Sequence, residues 1–194
     1  MSRFFPDYDP LEFNDTLPPY ADHPFPGVCW MKPRGETQAF HARLHFSLKE
    51  KTTLRFHVSG DRWFDLRLDG QFITDGPECS DSAHWCYSSF EEELLPGEHE
   101  FLARVVTLPA NLKPWNTMGS GCGFFFFAEA PFTGMFSTGS GAWEFAAAES
   151  IVFPEDYGGA SYRLATGIPA ELNVSLAEKE LNDPALWNCG VRGP

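Results

Sequence analysis

The residues with the clearest capacity for chemistry are the carboxylates crowded into one stretch, Asp61, Asp65, Asp69, Asp75, Glu78 and Asp81, interleaved with Trp63, Trp85 and Tyr87. Two carboxylates facing one glycosidic bond, one protonated and one ionised, would make a hydrolase. Hairpin turns and wet strand faces also use Asp for local reasons, however, and nothing in the spacing singles out a catalytic pair. Binding is the better reading. Sugar rings offer apolar C–H faces that stack on Trp and Tyr, and their hydroxyls need carboxylate, amide or guanidinium partners. Trp63, Trp85, Tyr87 and Trp115, with Asp61, Asp75, Asp81 and Asn116, are the candidates for such a site. No cofactor is required. Calcium held by the loops carrying Asp61, Asp75 and Asp81 stays open as an alternative.

Other chemistries find less support. His41, His45 and His57 would have to converge to hold zinc, with no Cys or carboxylate spacing to help. His84 and Cys86 are two apart in a strand-like segment whose intervening residue is Trp85, with nothing to orient them as a base and nucleophile. The glycines of GSGCG (119–123) and GSG (139–141) read as turns.

The elements that must position the candidates are strands. Phe64, Leu66 and Leu68 alternate with Asp65 and Arg67, giving one apolar and one wet face, and Asp69-Gly70 supplies a tight hairpin turn. The returning strand breaks at Gly76-Pro77. Leu95-Pro-Gly97 then turns the chain into a hydrophobic strand near Glu100 to Leu108. Upstream, Phe40, Ala42, Leu44, Phe46 and Leu48 alternate with His41, Arg43, His45 and Ser47, and Leu54, Phe56 and Val58 alternate with Arg55 and His57. A turn at Lys49 to Lys51 would pair these two strands, setting His45 near Arg55 and Arg43 near His57 as a basic patch, which is either a solvated face meeting carboxylates or a docking surface for an acidic neighbour.

The order of strand, Asp-Gly turn, strand, Gly-Pro, a loop ending in HWCY, an acidic run, Pro-Gly-Glu and a hydrophobic strand resembles the N-terminal β-sandwich of bacterial α-L-rhamnosidase-type glycoside hydrolases. The likeness extends more loosely through Pro114-Trp115, GCGFFFF and Trp143, covering roughly residues 37–150. That family has Asn-Gly at the turn and small or basic residues after Gly-Pro, where this chain has Asp69 and Glu78. The resemblance implies a jelly-roll, galactose-binding-like sandwich that is an accessory domain. It implies also that the catalytic acid and base are glutamates of a separate helical barrel, absent from these residues.

Composition agrees with an all-β chain. Seventeen Gly, 16 Pro and 19 Phe favour many short strands joined by turns, and 194 residues suffice for one sandwich with flanking segments. The expected division is an extended proline-rich segment over 1–36, a sandwich over 37–163, and a linker over 164–194 toward a missing downstream domain. Within the linker a short helix through Leu176 and Leu181 stops before Pro184. The Phe124 to Phe127 run is either a strand covered on both faces or an exposed contact surface. Trp143 and Phe145 fit a further strand.

A formal charge of −13 argues against nucleic acid or an anionic membrane and leaves neutral glycans as partners, together with the downstream domain. The opening residues lack the apolar core of a signal peptide. Five cysteines at irregular spacing read as reduced thiols, with a Cys79 to Cys86 bridge as the alternative. The expected location is cytoplasmic, or secreted if a signal peptide has been removed. The functional expectation is an accessory domain of a rhamnosidase-like hydrolase, and the alternative is a stand-alone, lectin-like sandwich.

Overall fold

Two antiparallel sheets face each other across an aromatic core in a computed structural model that describes residues 2–6, 29–76, 86–107, 123–153 and 171–193. The first sheet contains β1 (Ser2–Phe4), β7 (Ser88–Leu94), β4 (Thr52–Gly60), β9 (Phe124–Ala128), β2 (Met31–Lys32) and β13 (Val191–Arg192), in that spatial order. The second runs β10 (Glu144–Ala147), β3 (Ala39–Leu48), β8 (Gly97–Val106), β5 (Trp63–Leu68) and β6 (Gln71–Gly76). The fold is an all-β sandwich. A small ribbon of β11 (Ile151–Val152) and β12 (Glu171–Leu172), a one-turn helix α1 (Thr133–Phe136) and a helix α2 (Val174–Asn182) complete it.

Alternation built the core as the sequence requires. Phe40, Ala42 and Leu44 from one sheet meet Leu54, Phe56 and Val58 from the other, with Phe101, Phe126 and Trp143 between them. Phe56 stacks on Phe126 with ring centres 4.8 Å apart. β9 is covered on both sides: Phe124 and Phe126 point into the core, and Phe125 is buried on the outer face with Trp30 and Tyr87 against it.

The expected pairing of the two long early strands does not form. β3 pairs with β8 and β10, and β4 with β7 and β9, so the turn near Lys49 to Lys51 carries the chain from one sheet to the other. The cause is that an amphipathic strand satisfies its apolar face equally by lying beside a similar strand or opposite one. No basic patch results. His45 stands opposite Glu100, with Nε2 to Oε2 at 3.2 Å, and Arg55 opposite Glu91, with Nε to Oε2 at 2.6 Å. A zinc site is excluded by the same crossing, since His41 and His57 lie on the outer faces of opposite sheets.

The Asp69-Gly70 hairpin forms with both residues at positive φ, 51° and 76°, the primed turn that suits the twist of two strands. Asp69 also accepts the Glu100 N–H at 2.8 Å, tying the turn to β8. Between β9 and β10 the chain forms α1, whose Phe136 plugs the core against Phe46. Near the C-terminus α2 starts on Asn173, whose side chain accepts the Leu176 N–H, and ends before a 3-10 turn at Pro184–Leu186. These residues pack on the outer face of the second sheet.

Candidate functional site

One end of the sandwich gathers the candidate residues that the structure describes. Gly60 at the end of β4 pairs with Phe124 at the start of β9, Val58 with Ser88 at the start of β7, and Trp63 at the start of β5 with Val106 at the end of β8. Phe64 pairs with Gly76 at the end of β6. Asp61, Trp63, Asp75 and Tyr87 therefore share this end. Asp81, Trp85, Trp115 and Asn116, with Cys79 and Cys122, lie outside the described residues.

The end is not one surface. Trp63 opens onto the outer face of the second sheet, where it is 36% exposed and the Arg104 guanidinium sits 5.4 Å over its ring. Tyr87 belongs to the outer face of the first sheet, edge-on to His57 at 5.6 Å and against Phe125. Thickness of the sandwich separates the two. Asp61 sits at the crossing between sheets, where the chain passes from β4 to β5 through Arg62 at φ 58°.

Asp61 is the carboxyl whose environment departs most from water. It is 2% exposed, its Oδ1 has no hydrogen-bond partner among the described residues, and the nearest cation is Arg62, with Nε 3.9 Å from Oδ2. Burial pushes its pKa up to about 7, with the Arg62 charge pulling the other way. A neutral carboxyl at this end could donate a hydrogen bond. Sequence reasoning chose Asp61 for its loop position and had no sign of this burial.

The charges beside Trp63 form a paired set. Asp65 accepts from Arg104 at 2.9 Å through Nε and 2.6 Å through Nη2, and Arg67 Nε stands 3.6 Å from its other oxygen. Asp75 lies directly across from Asp65 and is exposed. Arg104 and Arg67 are not among the sequence candidates, although strand alternation sets both on the wet face. Among the described residues no group of three or more His, Cys, Asp or Glu is placed to hold a metal ion. Cys29, Cys86 and Cys189 are free thiols.

A further polar series was not legible at all. His57 Nδ1 stands 2.8 Å from Ser89 Oγ and its Nε2 3.0 Å from Glu129 Oε1. In outline this is a serine–histidine–carboxylate relay. Ser89 is 3% exposed and His57 fully buried beneath Phe4, Tyr87 and Phe127, so the hydroxyl offers no face to a substrate. The series satisfies polar groups under an aromatic cover.

On the outer face of the second sheet, the side toward β3 and β10 is covered by the C-terminal residues. Glu180, 2% exposed, accepts from Ser150 N at 2.8 Å and from the Ser150 hydroxyl, and Trp187 Nε1 donates to the Glu180 carbonyl at 3.1 Å. His41 lies beneath, 4.0 Å from Glu180, with neither ring nitrogen hydrogen-bonded among the described residues. Burial lowers its pKa, partly offset by Glu180 and Asp65 and reinforced by Arg104.

No protein-family model and no curated protein sequence matches the chain. Two solved structures are similar over part of it. One is the GH78 family rhamnosidase of Bacillus sp. GL1, at 19% identity and a TM-score of 0.49, over 64% of this chain and 13% of that one. The other is the α-L-rhamnosidase of Aspergillus terreus, at 11% identity and a TM-score of 0.43, over 67% of this chain and 18% of that one. The chain thus spans less than a fifth of either. No helix among the described residues is long and apolar enough to cross a membrane.

Proposed function

We propose that this chain is a non-catalytic accessory β-sandwich of an α-L-rhamnosidase-like glycoside hydrolase, which supports or shapes a carbohydrate site and packs on a downstream catalytic domain of the same polypeptide. In this reading residues 37–163 form the body of the sandwich, residues 1–36 and 164–194 add β1, β2 and β13 to its first sheet, and the latter segment leads toward the catalytic domain. The observation that carries the sugar-binding part is the half-open Trp63 ring, held on one face by Arg104, with Asp65 and Asp75 beside it. That combination offers an apolar ring and several hydrogen-bonding groups at one place, as a sugar requires. The accessory part draws on the sequence resemblance, whose Asp69-Gly70 hairpin and Pro-Gly turn are both present in the fold.

A second reading, a stand-alone carbohydrate-binding sandwich, draws on the packing of Trp187 and Glu180 into the second sheet. Calorimetry against L-rhamnose, other monosaccharides and plant oligosaccharides tests the sugar surface, and an aryl α-L-rhamnoside assay tests the absence of catalysis. Expected are saturable heat, about tenfold weaker binding in Trp63→Ala, and no turnover. Turnover by the chain would overturn the non-catalytic role. Silence, or an unaffected Trp63→Ala, would overturn the sugar surface.

A further inference from the structure

The β5–β6 hairpin contains an irregularity that changes what its outer face displays. From Gly76 inward the register is regular: Phe64 opposes Gly76, Asp65 opposes Asp75 and Leu66 opposes Thr74. At the other end the two-residue Asp69-Gly70 turn sets Leu68 against Gln71 and Arg67 against Phe72, which places Phe72 on the outer face. The register shifts between Leu66 and Arg67 with Ile73 as the extra residue, and the shift puts Asp75 rather than Thr74 opposite Asp65 on that face. Ile73 packs against the core, and Phe72 is 57% exposed on the outer face. A bulge gives up regular ladder pairing, and here its effect is to add the exposed Asp75 to the face on which the turn has already set Phe72.

Trp63 and Phe72 then stand on the same face of the same hairpin. Arg67, the partner of Phe72, lies four steps along β5 from Trp63, a span of about 13 Å. Between them lie Asp75, Arg104 and Arg67, charges of both signs that reach solvent, gathered around a buried Asp65 that both arginines face. Toward β3 and β10 the same face is walled by Ala148, Phe153 and Trp187. The result is a shelf one hairpin wide, with an aromatic ring at each end and hydrogen-bonding groups between.

We infer that this shelf binds a short linear oligosaccharide, with Trp63 and Phe72 stacking on two rings of one chain and the intervening charges meeting its hydroxyls. The inference rests on the carbohydrate reading above and specifies its ligand as a run of about three linked rings, the span set by the 13 Å estimate. The occupant follows from the surface. Paired Asp and Arg side chains suit neutral hydroxyls, while a net charge of −13 disfavours a polyanion. Aromatic rings kept apart by polar groups match a ligand whose apolar faces recur along its length, unlike the continuous apolar strip that a protein partner buries.

The test is a ladder of mono-, di-, tri- and tetrasaccharides of L-rhamnose and of D-glucose, titrated by calorimetry into the full chain. For one of the two series, affinity is expected to tighten about tenfold from the monosaccharide to the trisaccharide and then level off. Phe72→Ala, checked for unchanged melting, should bring the trisaccharide down to the affinity of the monosaccharide, Phe72→Trp should restore it, and Trp63→Ala should weaken both ligands. Length-independent binding that Phe72→Ala does not alter would overturn the shelf and leave a one-ring site at Trp63, so the proposed function would survive. Absence of binding by every sugar would overturn both. A dimer in sedimentation that Phe72→Ala disperses would overturn the shelf by assigning the face to a second copy of the chain.

Discussion

The guanidinium carbon of Arg43 lies 3.8 Å from the centre of the Trp187 ring, while its Nε donates to Glu144 at 2.9 Å. One side chain of β3 thus holds β10 on one side and the C-terminal segment on the other. Trp187 is 7% exposed, so Trp187→Ala should cost about 3–5 kcal/mol in urea unfolding and deprotect α2 amides in hydrogen exchange. Arg43→Lys keeps the charge but loses the planar stack, and should cost less. Unchanged α2 protection in Trp187→Ala would refute this role.

Asp61 makes stability fall as pH rises. Its folded pKa, about 7, lies above its ordinary value of 3.8, so the folded state binds a proton that the unfolded state has released between those values. Stability should decline across pH 4 to 7, at a limiting slope of about 1.4 kcal/mol per pH unit, and level off above. Asp61→Asn should flatten that decline and be the more stable protein at pH 8. Parallel pH profiles for the two proteins would contradict the assignment.

His99 works in the same direction from a different cause. Burial alone would lower its pKa, but Nδ1 faces Asp69 Oδ2 at 2.7 Å and Nε2 faces the Leu95 carbonyl at 2.8 Å, and the Asp69 and Glu98 charges add to these. With acceptors at both nitrogens the doubly protonated ring is favoured, and the pKa rises. Its stabilisation is complete below the ordinary histidine value and is lost as pH rises through the folded one. Asp69→Asn still tolerates positive φ, so the hairpin should persist while the His99 pKa, followed by NMR, falls toward about 6.5.

Gly190 and Gly35 form a matched pair, both at positive φ, 65° and 86°. A Cβ on Gly190 would meet Phe145 Cδ2 at 2.6 Å and the Lys32 carbonyl at 2.7 Å, whereas on Gly35 it would meet nothing within 4 Å. Gly190→Ala should therefore cost about 2–5 kcal/mol, backbone strain plus overpacking, and Gly35→Ala about 1–2 kcal/mol, strain alone. Equal losses in thermal melts would show that packing around Phe145 yields.

Strand positions were legible because each carries an uninterrupted period of two: Phe40 to Leu48, Leu54 to Val58 and Phe64 to Leu68 are strands with the faces their residues require. The Asp69-Gly70 turn and the helix before Pro184 were legible for equally local reasons. Which strand lies beside which was not, since β3 and β4 have the same pattern whether they pair or oppose. Phe72 was legible in principle, since the two-residue turn sets it opposite Arg67 on the wet face, whereas the bulge that sets Asp75 opposite Asp65 leaves no mark in composition. Trp63 and Tyr87 are close in sequence terms, yet a crossing between sheets puts them on opposite outer faces. Burial of Asp61 depends on how β4 passes to β5, which no single residue announces.

The six-stranded sheet is bordered by β1 on one side and β13 on the other, strands drawn from opposite ends of the sequence. Its four-phenylalanine strand, β9, is met along one edge by the two-residue β2 at Phe124 and by Ser137 and Thr138 further on, and among the described residues the far edge of β2 is covered by Val191 and Arg192. A chain clipped before residue 191 would keep nearly all of its core and yet uncover the edge of β2, an unpaired strand edge of the kind that seeds intermolecular pairing. Proteolytic trimming of a few residues is thus expected to appear first as lost solubility, well before any loss of secondary structure.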